Sequence, residues 1–139
     1  MILISFFNRK REGKKLDKKN SSVRNWPDHV ITLDEKNFNE FIQKYSLSVV
    51  DFWAPWCGPC KAMLTRVRRL SVIYNGKVAF GRLNIEENKV ISKRYKIMGI
   101  PHLGFFRYGK KLTSTTGLKS VKDIKDIIDG FLKKGDYGR

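Results

Sequence analysis

"VVDFWAPWCGPCK", residues 49–61, joins an apolar run to both cysteines of this 139-residue chain. The run that leads into it, residues 47–54, is almost continuously apolar, as in a central strand that is covered on both faces. Pro59 is tolerated in the first turn of a helix, because its missing N–H would have no partner there. The stretch therefore predicts a strand-to-helix junction with Cys57 at the N-terminus of the helix.

Cys57 and Cys60 are separated by two residues, and this spacing favours redox chemistry over the alternatives. Unpaired N–H groups and the dipole at a helix start stabilise a thiolate, and Cys60 lies nearly one turn further on. Cys60 is then close enough to resolve a mixed disulfide formed at Cys57. A zinc site would need four ligands, and only His29 and His102 could join the cysteines, at unsuitable spacings. A structural bridge across so short a loop would constrain the unfolded chain little, so we predict a dithiol and no metal.

Asp51 is the one carboxylate within the apolar run. Such a group is costly inside a strand covered on both faces unless it is paired, protonated or functional. A structural carboxylate with a buried partner is the alternative to a functional one.

The chain is strongly basic, with 29 Lys and Arg against 13 Asp and Glu and a formal net charge of +16. Residues 1–25 predict a disordered basic tail, and residues 26–139 predict the folded domain. The first apolar residues, followed by basic ones, resemble a two-signal anchor for an anionic membrane; an inert extension is the alternative. No basic run is interleaved with aromatic residues, so we expect no nucleic-acid partner.

Targeting signals and cysteine content help to predict the cellular compartment. No apolar run approaches the ~18–20 residues of a membrane span, and the N-terminal order of apolar and charged residues is the reverse of a secretory signal. Two cysteines suit a reducing compartment better than a secreted, disulfide-stapled domain. We expect a cytoplasmic monomer, at most peripheral to a membrane.

Helix and strand patterns alternate after residue 26. Strands are predicted at 29–33, 47–54 and 77–85, with two more on either side of a turn near Tyr108-Gly109. Helices are predicted after Asp34 and Cys57, over 88–96, and from a Ser120–Asp123 capping box. The order β-α-β-α-β-α-β-β-α predicts a mixed α/β sheet.

Residues 49–61 resemble the active-site segment of thioredoxins. The segments 82–88 (RLNIEEN), 95–110 (YKIMGIPHLGFFRYGK) and 115–120 (TTGLKS) are similar to later landmarks of that family, in the same order. The resemblance covers about residues 28–134 and implies a thioredoxin fold, with a mixed central sheet flanked by helices on both faces.

The resemblance also implies roles for individual residues. Cys57 would be the exposed attacking thiol and Cys60 the buried resolving thiol. Asp51 would lie beneath Cys60 and help to move its proton. The residues expected to contact the substrate are Trp56, Gly58, Pro59, Gly99, Ile100, Pro101 and Gly117. Among these, Pro101 would be a cis-proline facing the dithiol, and Ile100 would offer backbone groups to an extended substrate strand.

Three residues depart from the family pattern. Arg82 stands where a lysine is common; it would pair with Asp51 and hold that carboxylate ionised, because arginine keeps its proton. Thr65 replaces a helix-kinking proline, so the helix after Cys60 is expected to run straighter. His102 replaces a threonine; it could favour the Cys57 thiolate when protonated, or simply be a hydrogen-bonded strand histidine.

The function implied is reduction of protein disulfides without a bound cofactor, because the Cys57–Cys60 pair carries the electrons itself. The expected partners are disulfide-containing client proteins and a regenerating enzyme of the thioredoxin-reductase type. The alternatives are a thioredoxin-fold binding module tethered by its basic tail, and an oxidant or isomerase with the opposite electron flow.

Overall fold

The computed structural model describes residues 26–135. The predicted tail, residues 1–25, and the last four residues of the predicted domain lie outside this range. Five strands are present: β1 (Ile31–Leu33), β2 (Ser48–Trp53), β3 (Ala79–Asn84), β4 (His102–Arg107) and β5 (Lys110–Thr116). Four helices alternate with them: α1 (Phe38–Lys44), α2 (Gly58–Ile73), α3 (Lys89–Arg94) and α4 (Val121–Gly135). The predicted order of elements is confirmed throughout the described range.

The strands form one mixed sheet in the order β1-β3-β2-β4-β5. Strands β1 and β2 each pair with β3 in parallel, whereas β4 pairs antiparallel with both β2 and β5. The antiparallel edge follows from the short β4–β5 connection, in which Tyr108 and Gly109 both have positive φ, as a two-residue hairpin turn requires. The predicted turn at this position is confirmed.

Helices cover both faces of the sheet, as the sequence predicts. On one face α2 and α4 bury Met63, Val67, Ile124 and Ile128 against sheet residues such as Val49. On the other face α1 and α3 bury another apolar cluster against the sheet. Because β2 is covered on both sides, all its residues except Trp53 are buried, which explains its almost continuous apolar character.

Two local expectations are corrected. The first strand is shorter than the predicted 29–33 and begins at Ile31. Asp34 does not cap α1 directly. Its Oδ1 accepts the N–H groups of Lys36 and Asn37, at 2.8 and 3.0 Å, and so stabilises the turn that precedes the helix. A short Asp side chain can satisfy such a turn as well as a helix start, which explains why the two patterns look alike in sequence.

Candidate active site

The dithiol lies where β2 delivers the chain to the start of α2. Cys57 is the N-cap residue of α2, with Gly58 and Pro59 as the first two helical residues. The Cys57 Sγ accepts the backbone N–H of Cys60 at 3.2 Å, and the two side chains form a disulfide. A helix N-terminus presents otherwise unpaired N–H groups, so a negative charge on Cys57 Sγ would be stabilised at this position.

The expected contrast between an exposed Cys57 and a buried Cys60 is wrong for the disulfide form described. Cys57 is 5% exposed and Cys60 is 3% exposed. The covalent bond ties the Cys57 sulfur to a residue on the buried side of α2, and that sulfur also faces the Cys60 N–H. Gly58 and Pro59 between them are exposed.

Asp51 lies in the middle of β2 and is completely buried. It follows Val49, which packs under α2, by two residues, so Asp51 projects from the same face of the sheet. Neither carboxylate oxygen of Asp51 has a hydrogen-bond partner within residues 26–135. Burial raises the pKa of Asp51 to about 7, while the positive charge of Arg82 lowers it by a smaller amount. Asp51 can therefore hold or release a proton near neutral pH.

The predicted direct pairing of Arg82 with Asp51 is wrong. The two residues are neighbours in register on β2 and β3, but the Arg82 guanidinium carbon lies 3.9 Å from the centre of the Trp53 ring. Stacking on an aromatic face stabilises a guanidinium while its flat edge remains available for hydrogen bonds. Arg82 therefore acts on Asp51 through space, and the pKa of Asp51 is raised despite it.

The segment that precedes β4 meets the end of β5. The Ile100–Pro101 peptide bond is cis, as the family resemblance implies. The N–H of Gly117 donates to the Pro101 carbonyl at 2.7 Å, and Gly117 has a φ of +97°. A Cβ atom on Gly99 would lie 3.0 Å from the Thr116 side chain, so any larger residue would have to displace that side chain slightly. Gly99, Ile100, Pro101 and Gly117 are thus brought together.

The register of β4 on β2 places this segment at the same end of the sheet as the dithiol. His102 is paired with Phe52, so Pro101 follows on toward the level of Trp53, where the chain leaves β2 for Cys57. The residue Ile100 is only partly buried. The predicted substrate-contacting residues therefore share one end of the molecule.

Trp56 is 67% exposed, and its indole N–H donates to a carboxylate oxygen of Glu86. Sequence reasoning missed Glu86, which follows β3 and has no sequence signal of its own. It also missed Met98 and Leu118, which are 93% and 42% exposed beside Gly99 and Gly117. Met98 and Leu118 make the surface at this end of the sheet more apolar than the predicted residues alone.

His102 is buried and hydrogen-bonded, which favours the simpler of its two interpretations. Its Nδ1 lies 3.0 Å from the Thr116 hydroxyl across the β4–β5 pair. Burial, and then the charge of Lys111, lower the pKa of His102, so the ring is neutral at neutral pH. A neutral ring cannot supply a positive charge to the Cys57 thiolate.

Thr65 lies within the unbroken helix α2, where its hydroxyl donates to the Lys61 carbonyl at 3.3 Å. Within residues 26–135, no three His, Cys, Asp or Glu side chains come close enough together to hold a metal ion. None of the helices in the described range has the length and apolar character that crossing a membrane requires.

A disulfide at a helix start, on a mixed sheet covered by helices on both faces, is typical of a thiol–disulfide oxidoreductase. The family model for thioredoxin matches residues 29–130. The chain belongs to the thioredoxin family.

Individual relatives agree with this assignment. The chain is 38% identical over 101 residues to the thioredoxin of Buchnera aphidicola subsp. Acyrthosiphon pisum, covering 72% of this chain and 94% of that one. It is 31% identical over 103 residues to the thioredoxin of Staphylococcus haemolyticus, covering 74% of this chain and 98% of the relative. The solved structure of a mutant thioredoxin from Halobacterium salinarum NRC-1 superposes with a TM-score of 0.72 at 24% identity, covering 77% of this chain and 94% of that one. This last likeness shows the fold.

Proposed function

We propose that this protein reduces the disulfides of client proteins, with Cys57 as the attacking thiol and Cys60 as the resolving thiol. The observation that carries the proposal is the position of Cys57 at the cap of α2, where its sulfur already accepts an N–H. The same hydrogen bond stabilises the Cys57 thiolate both when it attacks and when it is the leaving group in the reverse direction.

The proposed reaction has two exchange steps. The Cys57 thiolate attacks one sulfur of the client disulfide, forming a mixed disulfide and releasing the other client sulfur as a thiolate that takes a proton. Cys60 then loses its proton, attacks Cys57 Sγ and releases the second client thiol. The client gains two electrons and two protons in total, and Cys57 and Cys60 become the disulfide seen in the structure.

We assign the removal of the Cys60 proton to Asp51. Its support is twofold: the carboxylate is on the face of β2 that α2 covers, and burial raises its pKa to about 7. A base whose pKa lies near the operating pH is both ionised often enough and basic enough to accept a proton. Arg82 contributes by limiting how far burial raises that pKa.

The client would dock on the exposed side chains and open backbone at this end of the sheet. Trp56 gives a flat aromatic face fixed by its hydrogen bond to Glu86, and Ile100 gives backbone groups for an extended strand. Gly58, Pro59, Gly99, Pro101 and Gly117 keep the surface low enough for a client disulfide to reach Cys57. No cofactor is needed in this scheme, and a reductase of the thioredoxin-reductase type would restore the dithiol.

The first experiment is the reduction potential of the Cys57/Cys60 pair, measured by equilibration against a thiol–disulfide buffer. A value near the reducing end of the dithiol range, roughly −270 mV, is expected for a reductant. A value near roughly −120 mV would overturn the direction of electron flow and indicate an oxidant or isomerase.

A second experiment tests the order of the two cysteines. With a protein disulfide substrate, Cys60→Ser should accumulate a mixed disulfide at Cys57, whereas Cys57→Ser should accumulate none. A mixed disulfide trapped at Cys60 in the Cys57→Ser variant would reverse the assignment. A cellular function that stays intact in Cys57→Ser, although disulfide exchange is lost, would favour a binding module whose redox chemistry is incidental.

The cytoplasmic location, the monomeric state and the membrane contact of residues 1–25 remain predictions. Removing residues 1–25 should abolish binding to anionic vesicles if the tail is an anchor, and unchanged binding would contradict that role.

A further inference from the structure

A cavity of about 320 Å³ opens between α2, the edge strand β1 and its neighbour β3. Its polar lining includes Thr32 from β1, Arg82 from β3, and Arg68 and Ser71 from α2. This volume lies at the lower end of the range for small-molecule sites. The cavity is separate from the surface at the end of the sheet where clients are proposed to dock.

The sheet register connects this cavity to the interior. Asp51, Arg82 and Thr32 are paired in one row across β2, β3 and β1. Asp51 is at the buried end of the row, and Arg82 and Thr32 reach the cavity at the other. Arg82 therefore stands between the buried carboxylate and the opening.

Two guanidinium groups line the cavity without an acidic partner. Within the described range, neither Arg68 nor Arg82 forms an ion pair, and Arg82 Nε is buried without a hydrogen-bond acceptor. The face of the Arg82 guanidinium is occupied by Trp53, so its N–H edge is the part left for a ligand. Burial lowers the pKa of Arg82, the charge of Asp51 opposes this, and the nearby charge of Arg68 lowers it further.

Two other charged groups border the same space. Asp28 and His29 precede β1, line the cavity and contact each other at 2.9 Å between Oδ1 and Nδ1. Both are largely exposed to water. The negative charge of the Asp28 carboxylate repels an anion in the cavity, so removing this charge should strengthen anion binding.

We propose that this cavity binds a small oxyanion of the phosphate class, held by the guanidinium groups of Arg68 and Arg82 with the hydroxyl of Thr32. Guanidinium edges match the geometry of a tetrahedral oxyanion, and two of them from different elements can contact different oxygens.

Occupancy of the cavity has a consequence for Asp51. Arg82 is the charged group that lowers the pKa of Asp51, and an anion against Arg82 offsets that positive charge. Phosphate binding therefore raises the pKa of Asp51 further. The cavity is in this way a site through which a solution anion adjusts the proton affinity of the carboxylate assigned to the resolving step.

The test is a titration of inorganic phosphate into the full-length oxidised protein, followed by two-dimensional NMR at constant ionic strength with chloride as the replacement. We expect saturable shifts at the backbone of Thr32 and Ser71 and at Arg82 Nε–H. Arg68→Ala should weaken this binding by about tenfold, because a charge-assisted hydrogen bond is lost. Arg69→Ala, an exposed neighbour on α2 that does not line the cavity, should change it by less than about twofold.

A second variant is expected to bind phosphate more tightly, a result that misfolding could not produce. Asp28→Asn removes the opposing carboxylate and should tighten phosphate binding by about threefold. Shifts that stay linear with phosphate concentration would overturn the proposal. Equal weakening by Arg68→Ala and Arg69→Ala would also overturn it, because only general surface charge would then be involved.

The assay measures binding to the oxidised chain and needs no turnover, so its outcome is independent of the reductase function. If phosphate binds but the protein does not reduce disulfides, the site stands and the proposed function fails. If the protein reduces disulfides but shows no saturable shifts, the proposed function stands and the phosphate site fails.

Discussion

Replacing Asp51 with Asn should stabilise the protein increasingly as the pH rises. The pKa of Asp51 is raised from 3.8 to about 7 in the folded chain because the charged form is buried. The folded state therefore binds the Asp51 proton more tightly than the unfolded state does. Stability is lost as the pH rises from about 4 to about 7, and the loss then levels off.

The size of the effect follows from the same two values. The interval between 3.8 and about 7, at about 1.4 kcal/mol for each tenfold change in proton affinity, gives about 4 kcal/mol. The free energy of unfolding of wild type, relative to Asp51→Asn, should therefore fall by about 4 kcal/mol between pH 4 and pH 8. The asparagine is also buried without a hydrogen-bond partner, which adds a cost that does not depend on pH. The decisive quantity is therefore the change with pH in the difference in free energy of unfolding between the two proteins.

The assay is urea unfolding of both oxidised proteins from pH 4 to pH 8, because urea leaves charge interactions unscreened. Asp126→Asn on α4 is the matched control. Asp126 is exposed and pairs with Lys122, so its loss should cost about 0.5 kcal/mol or less at any of these pH values. A wild-type to Asp51→Asn difference that is the same at pH 4 and pH 8 would refute the argument that burial dominates the proton affinity of Asp51.

Three further substitutions test other parts of the site. Arg82→Gln should raise the pKa of Asp51, because a lowering charge is removed; a carboxyl-carbon NMR titration measures this, and an unchanged or lower pKa would contradict the through-space role. Gly117→Ala should lower the free energy of unfolding by about 1–2 kcal/mol, measured by thermal unfolding, because residue 117 has a φ of +97°. Gly130→Ala, where a Cβ atom would meet open space within α4, should raise it by up to about 1 kcal/mol. Trp56→Ala should raise the KM for a protein disulfide substrate by about three- to tenfold and Trp56→Phe by less, while equal KM values in all three proteins would remove Trp56 from docking.

The fold could be predicted from the sequence because its patterns are local and consistent. The apolar run through β2 is long enough to indicate burial on both faces, and the Tyr108-Gly109 turn separates two clear strands. Errors were confined to ends, such as the start of β1 at Ile31. Asp34 caps a turn where the sequence predicts a helix cap, because both kinds of cap use the same residue types.

The site was predictable only in part, because its remaining features depend on contacts between distant segments. The apolar run and Pro59 predict that Cys57 lies at the start of α2, and the family resemblance implies the cis bond before Pro101. Nothing in the residues around Glu86 indicates that it accepts the indole N–H of Trp56, thirty positions earlier. Such a contact depends on where the loop after β3 meets the end of β2.

Arg82 shows why residue type and strand register together do not determine which group a side chain contacts. An arginine opposite a buried carboxylate favours a direct ion pair on charge alone, and the register of β2 and β3 is as that pairing requires. The ring of Trp53, two residues further along the same face, offers a competing surface that binds the guanidinium without fully removing it from water. The carboxylate of Asp51 is left without a direct partner in the described chain, and its burial then costs about 4 kcal/mol at neutral pH. That cost is a large share of the roughly 5–15 kcal/mol that typically stabilises a domain, and the role proposed for Asp51, a proton acceptor that titrates near neutral pH, would account for it.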